Sequence, residues 1–261
     1  MDRILLFIPM YNCANQIYRV LSSITKDTQE LLSEIIIIDN QSTDNGIEIV
    51  TNFINNNSFS IPIHLLKNHE NYGLGGSQKV AFDYAINNNF DYVIMLHGDD
   101  QGHIEDLVPY IKNKGYKNYD CFLGARFMKG SNLEGYSYFR TFGNIVYNFL
   151  FSIATSKKIY DLGSGLNMYS TDILKNKFYE KYYDNLMFNY CMILGSSYYK
   201  HKIKFFPIRW SEEDQVSNVK LFDQALKVLA LLFTYTISNK KFLKNDYRTN
   251  TNYTYDAEVI K

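Results

Sequence analysis

The residues best equipped for chemistry stand together at His97, Gly98, Asp99, Asp100 and Gln101, directly after the apolar run Tyr92 to Leu96. Two carboxylates and a carboxamide are hard oxygen donors, the set that suits Mg2+ or Mn2+ carrying a phosphate. A run as apolar as Val93 to Leu96 has to be buried, so it reads as a strand inside a sheet. Its last residues then lie at the carboxyl edge of that sheet, where open α/β folds bind ligands.

Other apolar runs end in the same way. Ile4 to Ile8 leads into Pro9, Met10, Tyr11 and Asn12; Glu34 to Ile38 leads into Asp39, Asn40, Gln41, Ser42, Thr43 and Asp44. Ile61 to Leu66 leads into a loop from Asn68 to Gly76 that carries Gly73, Gly75 and Gly76. Such glycines let the backbone approach a ligand, and the helix they precede offers N–H groups that favour anions. A bare glycine turn has the same appearance.

The elements that must position these groups alternate. Helical spacing predicts helices over Asn15 to Ile24, Asp44 to Ile54, Ser77 to Ile86 and Ile104 to Ile111, with a fifth strand over Cys121 to Gly124. This β-α-β order implies a parallel sheet with right-handed crossovers. Beyond residue 125 the rhythm changes. A helix near Phe142 to Thr155, a glycine-rich turn at Asp161 to Gly165, helical stretches around 171–179 and 184–198, and a strand at Lys204 to Pro207 are expected. Leu221 to Ile237 begins amphipathic and becomes almost continuously apolar, yet is too short to span a bilayer. Flanked by Lys220, Lys227, Lys240, Lys241 and Lys244, it reads as a helix in a membrane interface, or as a terminal helix docked on the core or in a dimer interface. The polar tail after Asn245 is expected to be poorly ordered.

Formal net charge is zero with no large basic block, which removes the usual signature of nucleic-acid binding. Cys13, Cys121 and Cys191 have no paired spacing, so neither a disulfide framework nor a zinc site is expected. The N-terminus enters a strand without a secretory pattern, and a cytoplasmic location is the default. The aromatic fraction of 16%, mostly Tyr and Phe, suits sugar handling or membrane interfaces. It equally follows from a bias toward Asn, Lys, Ile and Tyr.

With the strand ends in order, the chain resembles the family 2 glycosyltransferases of the GT-A fold. These carry a P-x-Y-N opening, a D-x-x-S-x-D strand end, an N-x-G helix entry and a D-x-D-x-Q metal motif, and the match runs over about residues 3–220. The resemblance implies an α/β, Rossmann-like GT-A architecture with a mostly parallel central sheet flanked by helices, in a single domain. Residues 1–220 would form it, with a nucleotide-sugar half at about 1–125 and an acceptor half at about 126–220. Residues 221–261 would add the amphipathic helix and polar tail. Asp39 would accept hydrogen bonds from the nucleotide base, although Asp39, Ser42 and Asp44 also suit turn and cap roles. Pro9, Tyr11 and Asn12 would shape the base and ribose pocket, and Gly73 the loop beside it. Cys13 stands where many relatives have Glu. In the metal motif Asp99 and Gln101 match, while His97 stands where the first Asp is usual; Asp99, Gln101 and His97 are the implied ligands of Mg2+ or Mn2+.

The second half resembles the dolichyl-phosphate mannose synthase branch. There Gly124, Ala125, Arg126 and Phe127, followed by Arg140, match a turn whose arginines bind the phosphate of a polyprenyl acceptor, as the planar guanidinium fork allows. Arg126 as a salt-bridge partner and Arg140 as a solvated helix residue are the plain alternatives. Asp161 and Ser164 fall in a matching D-x-x-S-G turn. Asp161 would be a general base for a sugar hydroxyl acceptor, and positional for a phosphate acceptor. Arg209 to Ser217 matches a donor-closing segment in degraded form, and Lys220 could offer a cation to the pyrophosphate. Trp210 either stacks on a sugar or packs.

The sequence thus implies an inverting, metal-dependent glycosyltransferase that takes a nucleoside-diphosphate sugar and delivers to a polyprenyl phosphate at the inner membrane face. A sugar hydroxyl of a cell-surface glycan is the second acceptor. A non-catalytic GT-A scaffold subunit, motivated by His97 and the degraded Ser217 segment, is the rival from another class.

Overall fold

The computed structural model describes residues 2–212 and 221–261, the side chains of 221–223 excepted. Lys220 and Ser217 lie outside the described residues. The strands are β1 (Ile4–Met10), β2 (Glu34–Asp39), β3 (Ile63–Asn68), β4 (Tyr92–Leu96), β5 (Cys121–Ala125), β6 (Asn132–Glu134), β7 (Leu166–Ser170), β8 (Ile203–Pro207), β9 (Arg209–Ser211) and β10 (Ala257–Val259). The α-helices are α1 (Ala14–Ser22), α2 (Lys26–Gln29), α3 (Gly46–Asn56), α4 (Gly73–Asn87), α5 (Val108–Lys112), α6 (Tyr138–Thr155), α7 (Thr171–Leu174), α8 (Met187–Tyr198), α9 (Leu221–Ile237) and α10 (Asn239–Lys244).

Eight strands form one sheet in the order β10-β3-β2-β1-β4-β7-β5-β8. Only β7 and β10 run against the rest. The unbroken apolar character of β1 and β2 follows from burial on both faces. Leu5, Phe7, Ile36 and Ile38 join one core layer, with Phe82 of α4, Phe188 of α8 and Leu231 of α9. Their neighbours Leu6, Ile8, Ile35 and Ile37 turn to the other layer, with Ile17 of α1, Val50 of α3 and Leu107. Each such side chain, fully buried, contributes roughly 1.5–3 kcal/mol, so the strands nearest the site are its firmest support.

Three expectations differ from the structure. The helix read over Ile104 to Ile111 splits into a 3-10 turn at Ile104–Asp106 and the short α5, where Pro109 occupies the first turn. The helical stretch at 171–179 closes after α7, and Lys177 takes a left-handed conformation at φ 52°. The tail after Asn245 is anchored rather than loose. β10 pairs antiparallel with β3 through Ala257–Asn68 and Val259–Leu66, and the Tyr72 ring centroid lies 4.9 Å from that of Tyr253 and 5.4 Å from that of Tyr255. Tyrosines give the tail apolar surface to bury, and the open edge of β3 gives it backbone partners.

Candidate active site

β1, β2 and β4 are neighbours, and their carboxyl ends lie level: Met10 pairs with Asp39, and Gly98 N–H donates to Pro9 O at 3.2 Å. Strands one removed from each other are about 10 Å apart, the reach of a nucleoside diphosphate. Asp39 and the Asp99 turn are separated by that one strand. Cys13 sits between them, close enough that the charges of Asp99, Asp44 and Asp39 add to the effect of burial and push its thiol up to about 12. Gly98 is required where it stands, because a Cβ there would come 2.8 Å from Pro9 O.

The first two tips are stitched together by side chains. Asn12, at φ 49°, accepts from Thr43 N–H at 2.8 Å while its own N–H donates to Ser42 Oγ at 3.0 Å. Asp44 accepts from Ala14 N–H at 2.9 Å and from Gly46 N–H at 3.0 Å, tying α1 and α3 to one carboxylate. Asp39 is fully buried and accepts from Gln41 N–H at 3.1 Å and Ser42 N–H at 3.2 Å. Pro9 is buried within β1, whereas Tyr11 is 51% exposed at the rim.

The glycine loop has a different close neighbour from the one the sequence suggested. Gly75 and Gly76 N–H groups donate to the carbonyl of Asp184 at 2.7 and 3.1 Å. Gly73 (φ 70°) donates to Asn71 Oδ1 at 3.0 Å, and a Cβ on it would meet Asp184 O at 2.5 Å. The first turn of α4 is therefore occupied by the chain's own 183–185 segment. Asn40 fixes the loop from the other side, accepting from Asn68 and from Tyr72 N–H, each at 2.9 Å, and donating to Asn71 at 2.8 Å.

In the acidic turn, Asp99 accepts from Gln101 N–H at 3.3 Å and lies 3.7 Å from Nδ1 of His97. His97 is clamped on Gly165, where an added Cβ would come 2.9 Å from the imidazole, and its buried Nε2 has no hydrogen-bond partner. Asp100, at φ 60°, turns away to pair with Arg19 of α1 at 2.5 Å. Gln101 O accepts from Ser211 N–H at 3.1 Å, and Trp210 packs 3.6 Å from where a Gly102 Cβ would stand, so β9 closes over this turn.

Arg126 and Asp161 form a buried, bidentate pair: Nε and Nη2 each donate at 2.8 Å, and Arg126 N–H adds a third bond at 2.8 Å. Gly163 N–H supplies a fourth at 3.1 Å. Burial would lower the Arg126 pKa, but the charge and hydrogen bonds of Asp161 override it and hold the guanidinium protonated. The rings of Trp210, Phe127 and Tyr136 surround that guanidinium at 4.9, 5.1 and 5.8 Å. Ser164 is buried in the same turn, bonded to Asn167 Oδ1 at 3.2 Å. Arg140 pairs with Glu212 at 2.6 Å and lies over Tyr136 at 4.3 Å.

The tertiary structure also brings in groups that the sequence left unmarked. Lys79, 2% exposed, donates to Asp184 Oδ1 at 2.7 Å, to Tyr182 O at 2.8 Å and to Tyr255 Oη at 3.1 Å. A lysine amid Gln78, Val80, Ala81 and Phe82 was its one visible sign. Among the described residues no three His, Cys, Asp or Glu side chains form a preassembled metal cluster.

Known proteins share the family pattern and the fold. The family model described as glycosyl transferase family 2 matches residues 6–178. An uncharacterized protein of Methanocaldococcus jannaschii is 27% identical over 176 residues, covering 65% of this chain and 72% of its own. Glycosyltransferase GlyA of Streptococcus pneumoniae is 27% identical over 67% of this chain, which spans 23% of that protein. Among solved structures, glucosyl-3-phosphoglycerate synthase of Mycobacterium tuberculosis, with Mn2+, UDP and phosphoglyceric acid, matches at a TM-score of 0.64 and 13% identity, over 90% of this chain and 78% of its own. TarS of S. aureus with UDP-GlcNAc matches at 0.58 and 18%, over 89% of this chain and 66% of its own. The mannosyltransferase PcManGT of Pyrobaculum calidifontis with GDP-Man and Mn2+ matches at 0.60 and 15%, over 90% and 64%. The chain therefore has the GT-A fold. It belongs to glycosyl transferase family 2 and is a glycosyltransferase.

Proposed function

We propose that the chain transfers a sugar, with inversion, from a nucleoside-diphosphate sugar to the phosphate of a polyprenyl-phosphate acceptor. The observation that carries the donor half is the level placement of Asp39 and the Asp99 turn on either side of β1. Residues 1–125 hold the donor in this reading, and 126–220 shape the acceptor side. Asp39 meets the base, with Pro9 and Tyr11 beside it. Asn12 and Gly73 act by shaping loops, because their polar groups are taken up within the chain. Lys220, outside the described residues, is assigned to the pyrophosphate.

The residues present fit a divalent cation held jointly with phosphate. Asp99 accepts a single N–H, its side chain is 23% exposed, and Gln101 adjoins it. One or two carboxylates completed by substrate phosphates is the usual Mg2+ arrangement, and no preassembled cluster is needed. His97 adjoins the same turn, with Nδ1 3.7 Å from Asp99 and a buried Nε2 that lacks a hydrogen-bond partner. Bound there, Mg2+ or Mn2+ would neutralise charge on the departing diphosphate.

The engagement of Asp161 favours a phosphate acceptor in this reading. Four N–H groups occupy its two oxygens, which gives it the positional role of holding Arg126. A phosphate acceptor is already an oxyanion and needs no strong base. In this reading Arg126, held by Asp161, Arg140, held by Glu212, and Ser164 serve that phosphate. A lipid-borne acceptor places the protein at the inner face of a membrane, in peripheral contact through residues 221–244.

Calorimetry with UDP and GDP, each with and without Mn2+, tests the donor reading. Metal-dependent binding that Asp39→Ala and Asp99→Ala both weaken is the expected result. Binding indifferent to metal and to both substitutions would return the chain to a scaffold. A radiolabelled donor offered polyprenyl phosphate or a free glycan separates the two acceptors.

A further inference from the structure

Helix α6 keeps most of its surface outside the core. Only Asn148 and Phe151 are buried, although the helix is largely apolar. Its exposed side chains recur at helical spacing: Phe139 at 77%, Phe142 at 67%, Phe149 at 64% and Ile153 at 62%. α9 packs beside it, with Tyr147 Oη donating to Ala225 O at 3.1 Å. That helix leaves Leu226, Phe233 and Ile237 exposed at 57%, 67% and 68%. Large apolar side chains exposed on two helices packed side by side mark an interaction surface.

We infer that α6 and α9 together form a docking surface that lies in the headgroup region of an anionic lipid bilayer. Charge selects this occupant. No Asp or Glu occurs from Tyr138 to Lys158, and between Asp223 in the first turn of α9 and Asp246 there is none, in a chain whose formal net charge is zero. The exposed charges on these stretches are Lys158, Lys227, Lys240, Lys241 and Lys244. A second copy seated on the same face by a two-fold axis would bring two lysine sets together. Anionic headgroups make the same lysines favourable. Among the described residues no helix is long and apolar enough to cross a membrane, so the two helices lie along the surface. The proposal extends the membrane contact from α9 to α6. It rests on the acceptor reading above only for the identity of what the membrane delivers.

The test is co-sedimentation of the whole chain with phosphatidylcholine vesicles, with and without phosphatidylglycerol. Binding is expected on the anionic vesicles and should weaken as salt rises. The triple variant Phe142→Ser, Phe149→Ser, Phe233→Ser should lower partitioning at least about tenfold, since each ring loses its buried apolar area. Lys240→Gln, Lys241→Gln and Lys244→Gln together should lower it on the order of 100-fold, about fivefold per lysine. These positions are exposed, and an unchanged thermal melt confirms folding. No binding to anionic vesicles, or equal binding by the serine variant, overturns the proposal. So does light scattering that shows a wild-type dimer becoming a monomer in that variant. Nucleotide binding in vesicle-free buffer keeps the two readings apart: its loss in wild type would sink the donor site and leave the docking surface standing.

Discussion

At Asp161 two carboxylate oxygens receive four N–H groups, and the single carboxylate of Asp99 receives one. That contrast separates two kinds of acidic residue that look alike in the sequence. Asp161→Asn leaves the Arg126 guanidinium buried and unpaired, and should cost about 3–5 kcal/mol of stability, read from the shift in a urea transition. Asp99→Asn removes almost no internal contact. It should leave the urea midpoint within about 0.5 kcal/mol of wild type while kcat/KM falls at least about 100-fold. Loss of fold in the Asp99 variant would show that its carboxylate is structural. The place of Asp99 to Gln101 just past the end of β4 was legible because the apolar run before them has to be buried. The commitment of Arg126 to Asp161 was not, since the two lie thirty-five positions apart and meet only across the folded chain.

The entry to α4 shows how an element can carry a familiar pattern to a different end. Its glycines admit the carbonyl of Asp184, and a Cβ on Gly75 would come 2.5 Å from Tyr183 O and 2.7 Å from Phe188 Cβ. Gly75→Ala should therefore destabilise by roughly 1–3 kcal/mol, measured by thermal melting, because backbone and a packed ring both have to shift. The same segment is held by Lys79, whose pKa burial pulls down while Asp184 opposes the change. Asp184 also accepts from Thr249 N–H at 2.8 Å and from Tyr255 Oη at 2.8 Å, which ties the C-terminal stretch to α4. In a Lys79→Met variant hydrogen exchange at residues 247–261 should quicken, with β1 amides unchanged. Equal protection of both regions would detach the tail from this ion pair.

Across the whole molecule the two core layers bury groups that must stay uncharged. Burial pushes the thiols of Cys13 and Cys121 up to about 12 from 9.0, and the Tyr247 hydroxyl up to about 12 from 10.0. A group that holds its proton more tightly when folded stabilises fully below its unfolded pKa and loses that contribution as pH rises toward its folded one. The urea midpoint should thus be flat to about pH 9 and fall steadily between there and about pH 12. A midpoint that holds constant through pH 11 would contradict the burial of these groups. Native protein at pH 8 should also resist thiol reagents until it unfolds, as three buried cysteines require.

Local pattern alone settled the strand ends and most of the sheet. Runs such as Ile4 to Ile8 and Tyr92 to Leu96 have one stable environment, between two covered faces, and the polar residues that follow must then line an edge. Where a group's partner is distant in the chain, the pattern carried no trace of it. β7 inserts between β4 and β5, β10 returns to the edge of β3, and Asp184 fills the glycine turn, each by pairing across scores of residues. Periodicity reports what a segment wants to bury; only folding decides which other segment buries it.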